Sequence, residues 1–127
     1  MTAENSLAPK SMSASRISLA QLMQPENANV LGNVHGGWIM KLVDEAGALA
    51  CMRHSQRRVV TVTVDSMTFR LPIRTSDLVI LKAEVTFTGR TSMEAEVQVV
   101  AENHQIAGAN RQAEGHRVHG HGYHAAL

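Results

Sequence analysis

The chain has 127 residues, a formal net charge of +1 and a single cysteine. This length fits one domain with a modest core. One cysteine excludes an intramolecular disulfide framework and suits a reducing compartment. Arg57-Arg58 alone is not a basic patch, so we expect no nucleic-acid partner. Without a long apolar run or a secretory signal pattern, we expect no membrane insertion and a cytoplasmic location.

The first part of the chain predicts a leader and then a strand. Residues 1–14 are rich in Ser and Ala, which predicts a flexible leader and places the start of the domain at residue 15. Ile17 to Met23 predict the first strand, although Leu19, Ala20 and Leu22 do not alternate cleanly.

A glycine-rich turn then runs into an apolar helix. Gly36 and Gly37 allow backbone amides to approach a ligand closely where that helix begins. Lys41 and Glu45, four residues apart, indicate which face of the helix is exposed to solvent, here called the wet face. Apolar residues at three- and four-residue spacing predict one buried stripe, formed by Ile39, Leu42, Val43, Ala46, Leu49 and Ala50.

Asp44 belongs neither to the buried stripe nor to the wet face. At 100° per residue it shares a flank with small and apolar residues, namely Met40, Gly47, Ala48 and Cys51. Partial desolvation disfavours the charged form of a carboxyl group, and such an acid can serve as general base or nucleophile near neutral pH. The alternative is a solvated acid paired with Glu45.

The rest of the chain up to residue 103 predicts sheet. Val60, Val62 and Val64 alternate with polar residues, so we expect a half-buried strand that buries its valine face. Two longer alternating runs around a turn at Gly89-Arg90 predict an antiparallel hairpin with one wet face. The buried positions expected in these two strands are Val79, Leu81, Ala83, Val85 and Phe87, then Met93, Ala95, Val97, Val99 and Ala101.

A family resemblance rests on the run Pro25–Gly37 (PENANVLGNVHGG) together with Ile39–Lys41 and Asp44–Gly47. These residues resemble the hotdog-fold acyl-CoA thioesterases, more narrowly the brain acyl-CoA hydrolase type and its single-domain bacterial relatives. The resemblance continues to about residue 103 through VTV at 60–62, SMTF at 66–69 and GRTSME at 89–94. It implies an α+β hotdog domain over residues 15–103, in which an antiparallel sheet wraps around one long central helix.

The same resemblance implies hydrolysis of fatty acyl-CoA to free fatty acid and coenzyme A. It matches the family's catalytic pair to Asn29 and Asp44, contributed by different subunits of a homodimer or of a higher assembly such as a hexamer. Asp44 would activate water or attack directly, while Asn29 orients the water or the thioester. The amides of Gly36 and Gly37 would stabilise the oxyanion. No cofactor is implied, because coenzyme A is part of the substrate and of the product.

Four polar residues are candidates for binding coenzyme A: Ser66, Arg90, Thr91 and Ser92. An Arg with neighbouring hydroxyl groups can hold phosphate, and the alternative at residues 90–92 is an ordinary polar turn. His35 invites a catalytic role, but we interpret it as a lining or structural residue. Cys51 fits a small buried helix residue better than a nucleophile.

The tail departs from the family, which continues into a final apolar strand. Residues 104–127 instead contain His116, His119, His121 and His124 with glycines between them. Three explanations stay open: a metal or proton site, a disordered extension that replaces the strand, and a reading-frame shift between about residues 104 and 109. The histidine spacing matches no standard metal motif, and we assign no metal site.

Two other functions remain as alternatives to hydrolysis. A hydratase on the same fold would need a His-Asp helix pair, which is not evident. A non-catalytic acyl-CoA-binding hotdog module would bind acyl-CoA tightly without turnover.

Overall fold

A computed structural model describes residues 11–64, 72–103 and 116–126 of the chain, the last segment by its backbone. Within these ranges one long helix accompanies five strands. The helix, α1, spans Gly36–Ser55, and the strands are β1 (Ile17–Leu22), β2 (Val60–Val64), β3 (Asp77–Thr88), β4 (Ser92–Asn103) and β5 (His116–Ala126). Short 3-10 turns occur at Met12–Ser15 and Pro25–Asn27.

The strands form a single sheet in the order β1-β3-β4-β5-β2. Every adjacent pair is antiparallel, and β2 lies at one edge. Helix α1 packs across one face of this sheet, mainly against β3 and β4. The predicted α+β architecture is therefore confirmed, as are the first strand and the hairpin.

The core lies between α1 and the inner face of the central strands. Ile39, Ala46 and Ala50 of the predicted stripe are fully buried, whereas Leu49 is 37% exposed. The burial prediction for Leu49 was wrong because the buried arc of α1 is rotated towards Gly47 and Cys51. That rotation carries the flank that holds Asp44 towards the protein interior.

Strand β2 buries only part of the valine face that was expected to be buried. Val60 and Val62 are 68% and 64% exposed, while Thr61 turns towards α1 and Val64 packs against the core. The pairing of β2 with β5 shifts register between Thr61 and Thr63. A bulge breaks strict alternation, which the valine pattern could not indicate.

A second register shift explains Phe87, which was predicted to be buried and is 51% exposed. The β3–β4 pairing shifts between Val85 and Phe87, so that Val85 lies opposite Ala95 and Phe87 opposite Glu94. The extra residue at this bulge reverses the face that Phe87 occupies. The remaining inward positions of β3 and β4 are buried as predicted.

The backbone of His116–Ala126 pairs with β4 on one side and β2 on the other. The backbone of the atypical tail thus lies in the sheet between β4 and β2. Ladder hydrogen bonds come from the backbone, so a sequence poor in strand-forming side chains can still provide them. Residues 104–115 lie outside the described ranges.

The 3-10 turn at Met12–Ser15 overlaps the end of the predicted leader, of which residues 1–10 lie outside the described ranges. Ser15 is fully buried. Its Oγ donates to the carbonyl of Met12 (2.5 Å) and accepts from the backbone N–H of Val85 (2.8 Å). This hydroxyl joins the turn to β3 just before β1 begins.

Replacing Ser15 by Ala is expected to lower the free energy of unfolding by about 1–3 kcal/mol, because the buried N–H of Val85 loses its acceptor. Urea unfolding at fixed protein concentration would measure the change. Ser13→Ala, in the same turn but exposed, is the matched control and should remain within about 0.5 kcal/mol of the parent. Equal stability of the two variants would contradict the assigned role of Ser15.

Candidate active site

The loop that leads into α1 is held from inside by Asn27, a buried polar residue with 3% exposure. Its side-chain Oδ1 accepts from the backbone N–H of Gln24 (2.9 Å), and its carbonyl accepts from the N–H of His35 (2.9 Å). His35 is the N-cap residue of α1. Asn27 therefore fixes where the helix begins.

Asn29 folds its side chain back onto its own loop. Its Oδ1 accepts from the backbone N–H groups of Leu31 (2.9 Å) and Asn33 (3.2 Å), an arrangement typical of Asx turns. Two backbone donors identify which amide atom is the oxygen. In the described part of the chain no hydrogen bond involves Nδ2 of Asn29, so this exposed N–H₂ group is able to donate to a ligand.

The same loop is anchored to the segment before β3. Val34 donates to the carbonyl of Ile73 (2.7 Å), and Thr75 donates to that of Gly32 (3.1 Å). Gly32 has φ = +81°, in the left-handed region that favours glycine. The backbone that carries Asn29 is thus fixed on both sides of its tip.

Helix α1 begins at Gly36 and Gly37, both exposed. The first amides to bond within the helix are those of Trp38 and Ile39, which donate to the carbonyl of His35 (3.0 and 3.4 Å). The two glycine amides precede them and have no intrahelical acceptor. A Cβ built on Gly37 meets no atom within 4 Å, so there is open space at this positive end of the helix dipole.

Asp44 lies about two turns further along α1 and is half-buried. Its Oδ1 accepts a hydrogen bond of 2.6 Å from Oγ1 of Thr61 in β2. This contact joins the flank of the helix to the edge strand. Sequence reasoning missed Thr61, although the residue lies within the VTV segment that carried part of the resemblance.

The structure brings together only part of the predicted constellation. Within the described residues of one chain, no hydrogen bond joins Asn29 to Asp44. Arg90, Thr91 and Ser92 are exposed at the β3–β4 turn, which is closed by a bond from the Gly89 N–H to the Ser92 carbonyl (2.7 Å). Ser66 lies outside the described ranges.

Two other candidates from the sequence, His35 and Cys51, lie at the start of α1 and within it. The His35 side chain is exposed and makes no capping hydrogen bond, while its backbone begins α1. Burial raises the pKa of the Cys51 thiol to about 11. Since the thiolate is the nucleophilic form, Cys51 is poorly suited to attack a thioester at neutral pH.

The described ranges contain no candidate for a metal site or for a membrane-spanning helix. No three His, Cys, Asp or Glu residues there come together as metal ligands, and the side chains of the tail histidines are outside the description. No helix in those ranges is both long enough and apolar enough to span a membrane.

Comparison with known sequences finds acyl-CoA thioester hydrolases among the relatives. The family model described as "Thioesterase superfamily" matches residues 31–107. A protein from Zymomonas mobilis named as an uncharacterized acyl-CoA thioester hydrolase is 41% identical over 92 residues, covering 72% of this chain and 59% of the relative. The human cytosolic acyl coenzyme A thioester hydrolase is 38% identical over 94 residues, covering 74% of this chain and 25% of the relative. The chain thus spans less than two thirds of the first relative and a quarter of the second.

Solved structures of similar proteins share the fold. An acyl-CoA hydrolase from Staphylococcus aureus, in complex with butyryl coenzyme A, coenzyme A and coenzyme A disulfide, has a TM-score of 0.79 and 29% identity, covering 93% of this chain and 68% of its own. A hexameric acyl-CoA thioesterase has a TM-score of 0.80 and 31% identity, covering 91% of this chain and 70% of its own.

Three single-residue variants of the Staphylococcus protein have also been solved, with an Asn, an Asp or a Thr replaced by Ala. In that protein 15 positions separate the Asn from the Asp and 17 separate the Asp from the Thr. Asn29, Asp44 and Thr61 have the same spacing in this chain. Asn29 and Asp44 are the two predicted catalytic residues, and Thr61 is the residue that contacts Asp44 in the structure. All three match the residues replaced in the Staphylococcus protein in type and in spacing.

Replacing Gly32 by Ala is expected to reduce stability by about 1–2 kcal/mol, because an L-residue must then adopt the left-handed conformation. A Cβ there meets no atom within 4 Å, so the cost arises from the backbone alone. Thermal unfolding would measure it. Gly37→Ala, equally unobstructed but without a positive φ, is the control and should unfold close to the parent; similar losses in both variants would contradict this explanation.

Proposed function

Since this chain belongs to the thioesterase superfamily, we propose that it hydrolyses fatty acyl-CoA thioesters to free fatty acid and coenzyme A. The observation that carries the proposal is the 2.6 Å hydrogen bond from Thr61 to a half-buried Asp44. It holds a carboxylate in one orientation on a helix whose first amides face open space. The hydrolase names of the relatives support the same reaction.

Asp44 acts on the attacking group. Oδ1 is oriented by Thr61, so Oδ2 is the oxygen that reaches the reaction. As general base, Asp44 takes a proton from water while the water oxygen bonds to the thioester carbon. The C–S bond then breaks, and the thiol of coenzyme A leaves with a proton. As nucleophile, Asp44 would instead bond to the thioester carbon while the C–S bond breaks and coenzyme A leaves as the thiolate, which gives a mixed anhydride that water hydrolyses in a second step.

The amides of Gly36 and Gly37 stabilise the oxyanion that forms on the thioester oxygen. Both precede the first intrahelical hydrogen bonds, and the helix dipole adds positive potential where they lie. One such donor typically contributes about 100- to 1000-fold in rate. Because backbone amides perform this task, glycine also keeps side chains from blocking the approach of the thioester.

Asn29 serves as a donor contributed by a neighbouring subunit. Its Oδ1 is already engaged by two backbone amides of its own loop. Nδ2 is therefore the group that donates a hydrogen bond to the thioester or to the attacking water, and this bond orients the acceptor. Within one chain no bond of the described residues links Asn29 to Asp44, in keeping with a site completed by a second copy. The hexameric assembly of a structural neighbour supports a homodimer or a higher assembly of dimers.

The substrate itself supplies coenzyme A, and the proposal needs no further cofactor. Arg90, Thr91 and Ser92 are exposed at a turn and available to the nucleotide part of the substrate; Ser66 stays a candidate from sequence alone. We place the protein in the cytoplasm, in line with the cytosolic name of the human relative.

Asp44→Ala should lower kcat/KM for acyl-CoA hydrolysis by about 100-fold or more, the range for loss of a general acid or base. Release of free thiol from a panel of acyl-CoAs would measure this, with size-exclusion chromatography to confirm that the assembly is unchanged. Glu45→Ala is the matched control, since Glu45 is the adjacent acid, exposed and paired with Lys41 at 3.5 Å. It should retain parental activity.

Thr61→Val should give a smaller decrease in kcat, about 10-fold, because Asp44 keeps its carboxylate but loses a charge-assisted hydrogen bond. Full activity in Asp44→Ala would refute the mechanism. Tight stoichiometric binding of acyl-CoA without turnover by the parent would instead favour the alternative, a non-catalytic acyl-CoA-binding module.

Mixing two inactive variants tests whether the site is shared between subunits. A dimer of one Asn29→Ala chain and one Asp44→Ala chain contains one intact site and one that lacks both residues. After joint unfolding and refolding at equal amounts, we expect about a quarter of parental activity, because half of randomly formed dimers are mixed and each has one of two sites. No recovery, with mixed dimers demonstrated by differential tagging, would show that both residues act within one chain.

A further inference from the structure

The turn at residues 74–77, here called the Asp77 turn, contains a buried acid that the proposed mechanism does not use. Asp77 is only 5% exposed. Its Oδ2 accepts from the backbone N–H of Arg74 (2.8 Å), and its own N–H donates to the carbonyl of Arg74 (3.1 Å). In the described part of the chain the other oxygen, Oδ1, is buried and accepts no hydrogen bond. A buried polar atom without a partner reduces stability, and such atoms are often kept for a functional reason.

Ser76 adds a second unfavourable feature to the same turn. Its φ is +72°, in the left-handed region that residues other than glycine rarely occupy. Bonds to the end of the preceding strand segment hold this conformation. The N–H of Ser76 donates to the carbonyl of Met23 (2.8 Å), and the N–H of Met23 donates to the carbonyl of Asp77 (2.9 Å). Backbone strain of this kind clusters near functional sites, which directs attention to what the Asp77 turn supports.

The Asp77 turn supports the loop that carries Asn29. Arg74 forms an antiparallel bridge with Asn33. Beside this bridge, Thr75 donates to the carbonyl of Gly32 (3.1 Å). Asn33 in turn contacts Asn29 twice, since its carbonyl accepts from the N–H of Asn29 (2.9 Å) and its N–H donates to Oδ1 of Asn29 (3.2 Å). A short series of contacts thus leads from the buried carboxylate to the amide side chain.

We propose that Asp77 is a positioning residue for Asn29. Its carboxylate fixes the turn against which the Asn29 loop is held, and thereby sets the direction in which Nδ2 of Asn29 donates. The inference rests on the proposed function, in which this amide group acts in the site of a neighbouring subunit. A donor held in place before the reaction is more effective, because small displacements of a catalytic group reduce the rate. Asp77 needs no contact with the substrate for this role.

Hydrogen–deuterium exchange on the assembled protein measures support of the loop without any turnover. In Asp77→Ala the N–H of Arg74 loses its acceptor, so we expect the hydrogen-bonded amides of residues 29–34 to exchange about 10-fold faster or more. Asp77→Asn keeps a side-chain oxygen that can accept from Arg74 and should stay within about threefold of the parent. Ser76→Ala changes an exposed side chain of the same turn and is the matched control, with parental exchange.

Kinetics test the effect on the reaction. Asp77→Ala should lower kcat for acyl-CoA hydrolysis about 10-fold with a smaller change in KM, because Asn29 acts in the chemical step. Asp77→Asn should restore most of kcat. Ser15→Ala is a control for stability alone, since it also leaves a backbone N–H, that of Val85, without its acceptor. It should unfold more easily and keep its kcat; an equal loss of kcat in Ser15→Ala and Asp77→Ala would overturn the inference.

A double-variant cycle tests whether the effect passes through Asn29. Asn29→Ala removes the amide group that Asp77 positions. Adding Asp77→Ala to that variant should therefore lower its residual kcat by less than about twofold. Fully additive losses would show that Asp77 acts on the rate independently of Asn29 and would overturn the inference.

Exchange and turnover separate the two proposals. Faster loop exchange in Asp77→Ala, with a parent that hydrolyses no acyl-CoA, would support the placement of Asn29 by Asp77 and refute the hydrolase proposal. Turnover by the parent, with unchanged loop exchange in Asp77→Ala, would leave the hydrolase proposal standing and show the role of Asp77 to be wrong. Ser76→Gly relieves the left-handed strain, so the same comparisons in that background keep the test valid if Asp77→Ala alone fails to assemble.

Discussion

Close packing of α1 on the sheet is the constraint on which the rest of the structure depends. Ala46, Gly47 and Ala50 are buried on the helix, and small side chains there let the helix approach β3 and β4 closely. The inner faces of those strands are lined by fully buried valines such as Val79 and Val99. Since protein interiors are packed to the density of organic crystals, this contact fixes the rotation of α1 and hence the position of its flank.

The flank of α1 carries Asp44 to the edge strand, where Thr61 meets it. The bulge between Thr61 and Thr63 allows Thr61 to turn towards the helix and Val64 also to pack against the core. The two exposed valines of β2 follow from the same geometry. A local irregularity in the sheet thus orients the carboxylate of the proposed site, and bulges are frequent near active sites.

The loop that carries Asn29, the second part of the proposed site, is held by a different set of interactions. Asn29 is placed by a loop of backbone hydrogen bonds, a left-handed glycine and an anchor to the segment before β3. The hydrogen bonds that hold the Asn29 side chain come from its own loop, whereas Asp44 is held by Thr61 in β2. Helix α1 therefore presents the carboxylate of Asp44, and a separate loop presents the amide group of Asn29. This arrangement allows two copies of the chain to share one site. Pre-organised groups of this kind lower the reorganisation needed during reaction.

Local sequence determined much of this protein. Spacing indicated the helix, the first strand and the hairpin, because periodicity reports directly which face an element buries; it left open whether Asp44 is partly buried or solvated. Motif residues indicated the family. Tertiary structure alone decided the outward positions of Leu49 and Phe87, the contact of Thr61 with Asp44, and the pairing of a glycine- and histidine-rich tail as β5. Register shifts, helix rotation and backbone ladders arise from contacts between segments distant in sequence, and no local pattern encodes them.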